Sequence, residues 1–518
     1  MPGNCHSFRR SDDQAGQRAA VRHKLERAHL PIGYSPLSAS PTYLFSDCRK
    51  SILEFRVTPP YNAQPAVGIS DRTIMPEASS INWTNTSVKA FAKNADPLAA
   101  IEDAARSLVL TAREKGWEGP PFNPLRIAEM LEVQIEANSS VADARLVATE
   151  SGPKIEFNPQ QPRERVRFSI AHEIAHLLFP DWSEQIRNRG GNKTPDDWQL
   201  EMLCNVAASE FVLPIGSLPA ASDIPPIEDL MRQRREYDVS AEAFLIRLAK
   251  ISSQPIGIFV SSPSVSEDGT RHYKIDYFVS SPTAPKIRLS GLAIPNESIV
   301  HRCTAIGHTD RAVESWVMGA ATQIECVALT SYAGSVYPRV AGLVRFDQAQ
   351  ENYLPIRLLN GDVLEPRNGG KKIICQLVND KAVKWGGGVA HKIARRFPDA
   401  EEAYSKQVVQ IPQRDRLGRA IFSEASEDLT IASLIGQEGF GPSLFPRIRY
   451  AALSACLEQV AEYAASVGAS IHMPKIGTGS AGGDWSTIEE LIVDVMVRAG
   501  LSVTVYDVPP KRVQLELF

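Results

Sequence analysis

The sequence predicts a multidomain protein of mixed α+β and α/β architecture, and three observations lead to this fold class. The chain has 518 residues, of which 43% are hydrophobic, so it can bury more than one core. Apolar residues recur at helical spacing from about residue 97, with strand-like segments between the helices. From about residue 353, strands, glycine-rich turns and helices alternate, which is typical of a three-layer α/β domain.

Residues 1–92 form an N-terminal extension that we expect to be partly disordered. The segment "QRAAVRHKLERAHL" predicts a short basic amphipathic helix, but the sequence after it is rich in Pro, Ser, Thr and Asn. Two interpretations stay open for this region. We favour a poorly ordered extension over an arm that binds a partner.

Residues 93–282 form the first predicted domain. Its segments "PLAAIEDAARSLVLTAREKGW", "PRERVRFSIAHEIAHLLF", "DDWQLEMLCNVAASEFVL" and "SAEAFLIRLAKI" have the periodicity of helices. The segment "DARLVATESGPKIEFNP" predicts two strands around a Ser-Gly turn. Residues 283–350 predict a strand-rich connector, and residues 351–512 the three-layer α/β domain.

The composition argues against several function classes. A formal net charge of −4 lacks the basic excess of nucleic-acid-binding proteins, so direct nucleic-acid binding is not expected. Seven scattered cysteines without a C-x-x-C pair favour a reducing compartment over a disulfide framework or a cysteine zinc site. No apolar run approaches the roughly 20 residues that cross a bilayer, and the N-terminus lacks the apolar core of a signal peptide. We therefore expect a cytoplasmic protein that does not contact a membrane.

The segment "AHEIAHLLFP" places two histidines and a glutamate in an apolar helix. His172 and His176 lie one helical turn apart, so their imidazoles share a face and can bind one metal ion. Zinc takes imidazole nitrogen at about 2.0–2.1 Å and keeps an open position in catalytic sites. Glu173 can accept the proton of a water that attacks a carbonyl. Because unpartnered polar groups in an apolar frame cost several kcal/mol, we expect Zn²⁺ here rather than a chance pattern.

The next predicted helix offers a third ligand. Glu201 follows His176 by 25 residues, and two crossing helices can bring its carboxylate to the imidazoles. Glu210 is the alternative third ligand. It lies about two and a half helical turns after Glu201, so the two carboxylates cannot both face the same ion. We interpret the nearby Cys204 as a small buried helix residue rather than a ligand.

The motifs "RVRFSIAHEIAHLLF" and "LEMLCNVAASEFVLP" resemble the ImmA/IrrE family of zinc metallopeptidases, over roughly residues 98–260. The resemblance implies a helical, zincin-like metallopeptidase domain with a small sheet. It places zinc on His172, His176 and Glu201, favours Glu201 over Glu210, and makes Glu173 the general base. It also implies a protein or peptide substrate, since family members act on repressors of mobile elements or stress genes. We find no convincing helix-turn-helix segment in the sequence, although the family often occurs with one.

Two glycine-rich loops follow predicted strands in the C-terminal domain. They lie in "ICQLVNDKAVKWGGGVAHKIARRFP" and in "ASIHMPKIGTGSAGGDWSTIEELI", and each leads into a helix. Glycines let backbone N–H groups approach a ligand closely, and a helix N-terminus favours an anion. In open α/β sheets, ligands bind at the carboxyl ends of the strands. The two loops together therefore predict a phosphate or diphosphate site.

These segments, together with "NGDVLEP", resemble the macro domain, an ADP-ribose-binding module, over about residues 351–510. The resemblance implies binding of an ADP-ribose-type nucleotide or an ADP-ribosylated protein. It places Asn379 and Asp380 near the adenine and distal ribose, and the glycine loops around the diphosphate. The implied ligand-binding residues are Asn379, Asp380, Gly386, Gly387, Gly388, Val389, Gly477, Thr478, Gly479, Ser480, Ala481 and Gly482.

Some macro domains hydrolyse ADP-ribose derivatives with a lysine and an aspartate. Here Gln437 stands where a lysine is expected, and Ala481 occupies the acidic position. We therefore favour binding over hydrolysis. Asp484 and His391 stay candidate catalytic groups, with a helix cap and a solvated helix residue as their alternative interpretations.

Three function hypotheses follow from the two motif sets. The first is a zinc peptidase whose cleavage is regulated by a ligand of the macro-like domain, with the strand-rich segment 283–350 as the physical connection. The second is an ADP-ribosyl hydrolase or phosphatase whose zinc domain recruits a partner. The third is a non-catalytic ligand-binding regulator with structural zinc. A stress or phage-defence setting is implied by family association alone.

Overall fold

The computed structural model describes residues 82–184, 195–218, 224–265, 270–285, 287–331, 335–347, 356–367 and 369–507. The predictions for residues 1–81, and the expected boundary between residues 350 and 351, lie outside the described residues. Among the described residues, no helix combines the length and apolar character that a membrane span needs.

The first compact part of the fold, here called the helical domain, covers described residues 82–251. Its helices are α1 (Thr86–Ala92), α2 (Pro97–Glu114), α3 (Leu125–Met130), α4 (Arg163–His176), α5 (Asp197–Val212), α6 (Ile227–Tyr237) and α7 (Ala241–Ile251). Helix α2 begins where the Asp96 side chain accepts a hydrogen bond from Ala99 N, with Pro97 at the first position. It ends before Gly116, whose φ of +80° is the left-handed conformation that glycine adopts freely.

A small sheet beside helix α4 completes this domain. Its strands are β1 (Gln134–Ala137), β2 (Ala144–Thr149) and β3 (Gly152–Phe157). Their order is β1-β3-β2, with β1 parallel and β2 antiparallel to β3, so β2 is an edge strand. The two strands predicted around the Ser-Gly turn are thereby confirmed. Helix α4 packs against both β2 and α5, which fixes the helix that carries the two histidines.

An antiparallel six-stranded sheet follows. Its strands are β4 (Ile256–Val265), β5 (Arg271–Ser280), β6 (Ala293–Ile294), β7 (Thr309–Glu314), β8 (Thr322–Leu329) and β9 (Arg339–Arg345), in the order β6-β5-β4-β9-β8-β7. Ile258 and Val260 face the core of the helical domain, whereas Phe259 between them faces a separate core on the other side. The expected boundary at 282/283 therefore falls inside one sheet, because periodicity identifies strands but not their pairing partners.

The C-terminal domain covers described residues 356–507. Its strands are β10 (Arg357–Asn360), β11 (Lys372–Asn379), β12 (Ala420–Ser426), β13 (Leu429–Gln437), β14 (Ser470–Pro474) and β15 (Val503–Asp507), and its helices are α8 (Gly388–Arg396), α9 (Pro398–Val408), α10 (Tyr450–Val467) and α11 (Trp485–Ile492). The sheet order is β10-β15-β14-β11-β13-β12, parallel except for β12. Ile374 faces one buried core and its neighbour Ile373 the other, so helices cover both faces. The multidomain α+β and α/β fold class, with its three-layer C-terminal domain, is confirmed.

The helical domain and the C-terminal domain share one hydrophobic core. Apolar side chains of α2, such as Ile101 and Val109, belong to the same buried cluster as Leu453 of α10 and Ile488 of α11. The two domains thus touch directly, and the segment 283–350 is not their sole physical connection. The sequence predicts segment 283–350 as the connection between the two domains, because a sequence does not show which apolar helix faces pack together.

Two ion pairs reinforce this interface. Arg106 Nη1 of α2 lies 2.8 Å from Asp494 Oδ2, and Arg247 Nη2 of α7 lies 2.5 Å from Glu490 Oε1. Burial raises the pKa of Asp494, but Arg498 and Arg106 outweigh that effect and hold it below its ordinary value. Removing one partner of the more buried pair, Arg247 and Glu490, typically costs about 3–5 kcal/mol, because the other charge stays desolvated.

Gly216 offers a direct test of how closely the domains pack. Its φ is +74°, and a Cβ atom there would lie 2.6 Å from Thr487 N and 2.7 Å from Thr487 Cα in the C-terminal domain. We expect Gly216→Ala to lower the free energy of unfolding by about 2 kcal/mol or more, measured by urea denaturation. Gly369→Ala, where a Cβ meets nothing within 4 Å, is the control. Equal stability of both variants would contradict this packing.

Candidate functional site

Helices α4 and α5 cross so that three polar side chains converge. His172 Nε2 lies 3.0 Å from Glu201 Oε2, and His176 Nε2 lies 3.8 Å from Glu201 Oε1. The two imidazole rings are 5.0 Å apart between centroids. The structure therefore brings the two histidines of the motif together with Glu201, the glutamate that the family resemblance favoured.

The far nitrogen of each ring has its own partner. His172 Nδ1 lies 2.9 Å from Asn205 Oδ1, an acceptor for a protonated Nδ1, and Nε2 is the nitrogen that faces Glu201. His176 Nδ1 faces the thiol of Cys204 at 3.4 Å. Such outer contacts orient metal-binding imidazoles. Sequence reasoning missed Asn205, although its position one turn after Glu201 on α5 was a usable signal.

Cys204 is a competing donor, since its sulfur and one nitrogen of each histidine all lie within 4.8 Å of one another. The thiol, however, faces His176 Nδ1, whereas Glu201 faces Nε2, and one imidazole cannot turn both nitrogens toward the same ion. Cys204 is fully buried, whereas half of the Glu201 side chain is exposed. A reaction centre needs solvent and substrate access, so the Glu201 side of the rings is the better candidate.

Glu210 points elsewhere. Its Oε1 accepts a hydrogen bond from Ile215 N at 2.8 Å, and its Oε2 lies 4.0 Å from Arg247. These contacts belong to the region where the helical domain meets the C-terminal domain. The structure thus places Glu201, and not Glu210, at the histidines.

Glu173 is buried and held by the small sheet. Its Oε2 accepts a hydrogen bond of 2.8 Å from the backbone N–H of Leu146 on edge strand β2. The helix therefore presents the Glu173 carboxylate beside His172 with its orientation fixed by an adjacent strand.

The electrostatics of the cluster favour a cation. Burial alone would lower the pKa of His172, but the carboxylates of Glu201 and Glu173 and the Asn205 side chain outweigh burial and raise it above its ordinary value. Around a tetrahedral divalent ion with bonds of about 2.0–2.1 Å, neighbouring donor atoms lie about 3.3 Å apart. The two contacts of Glu201 with the Nε2 atoms, 3.0 Å from Oε2 and 3.8 Å from Oε1, are of this size, although they involve different oxygens of the carboxylate.

The glycines of the two loops in the C-terminal domain differ in the space around them. A Cβ atom at Gly386, Gly387 or Gly388 would meet nothing within 4 Å. Gly386 and Gly387 precede helix α8 and Gly388 is its first residue, followed by the half-buried Val389. At Gly477, by contrast, a Cβ would lie 2.8 Å from Ile448 Cδ1, so this glycine serves close packing.

The tip of the second loop faces solvent. Thr478, Gly479, Ser480 and Gly482 are exposed, whereas Ala481 is buried. The Ala481 carbonyl accepts hydrogen bonds from Arg447 N at 2.8 Å and Ile448 N at 3.1 Å. Residues 441–447 and Ser480–Gly482 line a pocket of about 280 Å³. Sequence reasoning missed the part of the pocket formed by residues 441–447, although the glycine and proline residues of "EGFGPSLFP" predict a loop there.

Asn379 and Asp380 lie at the end of β11 and mainly hold backbone in place. Asp380 is buried, and its Oδ1 accepts a hydrogen bond of 2.6 Å from Gly439 N. Asn379 Oδ1 accepts one of 3.1 Å from Lys381 N. Gln437 is also buried and donates to the Gly439 carbonyl at 2.7 Å. Asp380 and Gln437 thus hold the backbone at Gly439, two residues before the segment that lines the pocket.

Asp484 and His391, the two candidate catalytic residues of this domain, occupy positions that a structural role explains. Asp484 is the N-cap of α11, and its Oδ2 accepts from Thr487 N at 2.9 Å and from Thr487 Oγ1 at 2.7 Å. His391 is an exposed residue of α8. Both positions agree with the alternative interpretations, a helix cap and a solvated helix residue.

Two family models match separate parts of this chain. A peptidase family model described as IrrE N-terminal-like domain matches residues 131–249. A model described as Macro domain matches residues 378–492. A relative from Deinococcus deserti, the radiation response metalloprotease IrrE, is 30% identical over 119 residues, which are 22% of this chain and 41% of that protein. The chain thus spans less than half the length of this relative.

Solved structures similar to this chain include two bacterial proteins. One is a macrodomain protein from Streptomyces coelicolor, 36% identical, with 29% of this chain and 98% of that chain covered and a TM-score of 0.26. The other is a protein of unknown function from Bacteroides thetaiotaomicron, 34% identical, with 30% and 99% covered and a TM-score of 0.29.

Proposed function

We propose, from the premise that this chain joins an IrrE-like peptidase domain to a macro domain, that it is a zinc-dependent peptidase coupled to a module that binds ADP-ribose. The cleavage would be site-specific and regulatory, and its substrate a protein or peptide. The macro domain would take ADP-ribose, a related nucleotide or an ADP-ribosylated protein. The observation that carries the proposal is the approach of the Glu201 carboxylate to both Nε2 atoms. A cytoplasmic location and a stress or phage-defence role belong to the same proposal.

His172, His176 and Glu201 would hold the zinc ion. When bound, zinc polarises the substrate carbonyl and makes the attacking water more acidic. The orientation of the rings by Asn205 and Cys204 supports this assignment, because both leave Nε2 directed at Glu201.

Glu173 would act as the general base. Its carboxylate accepts the proton of the attacking water and then gives a proton to the departing amine, so that the peptide C–N bond breaks. The hydrogen bond from Leu146 N fixes one oxygen of the carboxylate and thereby its orientation toward the histidine face.

The macro domain would bind the diphosphate between its two glycine loops. The open space at Gly386–Gly388 admits a ligand close to the backbone, and the N-terminus of α8 favours an anion. Binding is favoured over hydrolysis because Gln437 and Ala481 replace the lysine and acid expected of hydrolytic members, and both are buried. A hydrolase of ADP-ribose derivatives and a non-catalytic regulator are the alternatives that the tests below separate.

The third ligand can be tested with two matched variants. We expect Glu201→Gln to weaken zinc binding at least about ten-fold, because an uncharged amide replaces a carboxylate donor. Glu210→Gln should bind zinc within about two-fold of the wild type, because its side chain faces Ile215 and Arg247. Competition with a chromophoric chelator measures both. The opposite ranking would make Glu210 the ligand.

The general base is tested by Glu173→Gln. Gln keeps an oxygen that can accept from Leu146 N, so the variant should fold and retain zinc while cleavage falls at least about 10²-fold. New peptide termini in a proteome-derived peptide library, counted by mass spectrometry, provide the measurement. Glu164→Gln on the same helix is the control. A zinc-loaded wild type that cleaves nothing would favour the non-catalytic regulator.

The nucleotide pocket is tested by Gly387→Val. Gly387 has φ −136° and ψ 165°, an extended conformation that valine adopts, and a Cβ there meets no atom of the fold. We expect unchanged thermal stability and ADP-ribose affinity reduced at least about ten-fold in calorimetry, because the side chain occupies ligand space. Gly369→Val is the size-matched control. Wild-type affinity in Gly387→Val would place the ligand elsewhere, and release of ADP-ribose or phosphate from a modified substrate would support the hydrolase.

A further inference from the structure

The 280 Å³ pocket in the C-terminal domain has two walls, and the chain beyond each wall contacts the end of helix α2 in the helical domain. The first wall is Ser480–Gly482, from which the chain continues to Asp484 at the start of α11. The second wall is formed by residues 441–447, from which the chain continues to Arg449 and Tyr450 at the start of α10. Arg113 and Glu114 bind these continuing segments, and Gly116 lies beside Phe445 of the second wall.

Arg113 fixes the end of the first wall. Its Nη2 lies 2.9 Å from Asp484 Oδ2 and 3.1 Å from Thr487 Oγ1. Arg113 therefore contacts both the N-cap residue of α11 and the threonine that donates to that cap. Arg113 is largely buried, with 11% of its side chain exposed, against 44% for Asp484. The Arg113 contact adds a third bond to Asp484 Oδ2, beside the two from Thr487 that make it the cap of α11.

Glu114 fixes the second wall. Its Oε1 accepts a hydrogen bond of 2.7 Å from Tyr450 N at the start of α10, and its Oε2 lies 3.7 Å from Arg449. The Tyr450 hydroxyl in turn accepts from Asp484 N at 2.8 Å, which links the two walls. Beside them, the ring of Phe445 lies 3.6 Å from the Cβ position of Gly116.

We propose that Arg113 and Glu114, although they belong to the helical domain, are positioning residues of the macro-domain pocket and set its affinity for a nucleoside diphosphate sugar such as ADP-ribose. This inference rests on the proposed function of the C-terminal domain. Preorganised loops bind more tightly because less conformational entropy is lost on binding.

Charge gives Arg113 a second effect. Without a cation beside it, the Asp484 carboxylate would stand as an uncompensated negative charge one residue from the loop that receives the diphosphate. Arg113 neutralises that charge while Asp484 continues to cap α11. The pair thus keeps the cap and removes the repulsion of an anionic ligand.

The test measures ADP-ribose affinity of the full chain by calorimetry. We expect Arg113→Gln to weaken binding about five- to twenty-fold, and Arg113→Lys, which keeps the charge, to weaken it less. Adding Asp484→Asn to Arg113→Gln should restore part of the affinity, because asparagine still caps α11 without a charge. Glu114→Ala tests the second wall independently and should also weaken binding.

Arg106→Gln is the matched control. It breaks the ion pair with Asp494 in the same interface, but further along the C-terminal domain than Asp484. We expect it to lower the melting temperature while ADP-ribose affinity stays within about two-fold. If the wild-type protein binds ADP-ribose and the Arg113→Gln and Glu114→Ala variants bind it equally well, the role of the two residues is contradicted. The proposed function of the pocket would stand in that case. Wild-type protein that does not bind ADP-ribose would overturn the proposed function of the pocket and the inference with it.

Discussion

The crossing of helices α4 and α5 is the constraint on which the rest of the helical domain depends. It sets the carboxylate of Glu201 against the Nε2 atoms of His172 and His176, and only a close, fixed packing of the two helices holds that geometry. Asn205 supports the same arrangement from the far side of one ring. Edge strand β2 supports the neighbouring carboxylate from the sheet side. Buried polar groups of this kind persist where their mutual contacts, or an ion between them, offset the loss of hydration.

Helix α2 contacts both the helix that carries Glu201 and the pocket region of the C-terminal domain. One part of its surface packs on α5, which carries Glu201, and its last turn holds the walls of the C-terminal pocket. A contiguous series of packed elements therefore runs from one candidate site to the other. Coupling between the sites additionally requires that a ligand stabilise one arrangement of these elements over another, and such coupling would act equally in both directions.

The sequence predicted the parts of the fold that depend on local pattern. The spacing of His172 and His176 within an apolar run, the Ser-Gly turn between β2 and β3, and the glycine loops after buried strands all correspond to observed elements. It could not predict which elements meet in space. The pairing of strands across residue 283 and the direct contact of α2 with α10 depend on long-range packing of apolar faces. The contacts of Arg113 and Glu114 were missed for the same reason, because their partners are distant in sequence. Asn205, by contrast, lies one turn after Glu201 and was open to prediction.

The most direct test of the central claim is a zinc-soaked crystal of the full chain, with anomalous scattering measured on both sides of the zinc absorption edge. The account predicts one strong anomalous peak about 2 Å from His172 Nε2, His176 Nε2 and a carboxylate oxygen of Glu201. A peak beside the Cys204 sulfur and His176 Nδ1, or no peak near the two histidines at saturating zinc, would contradict it.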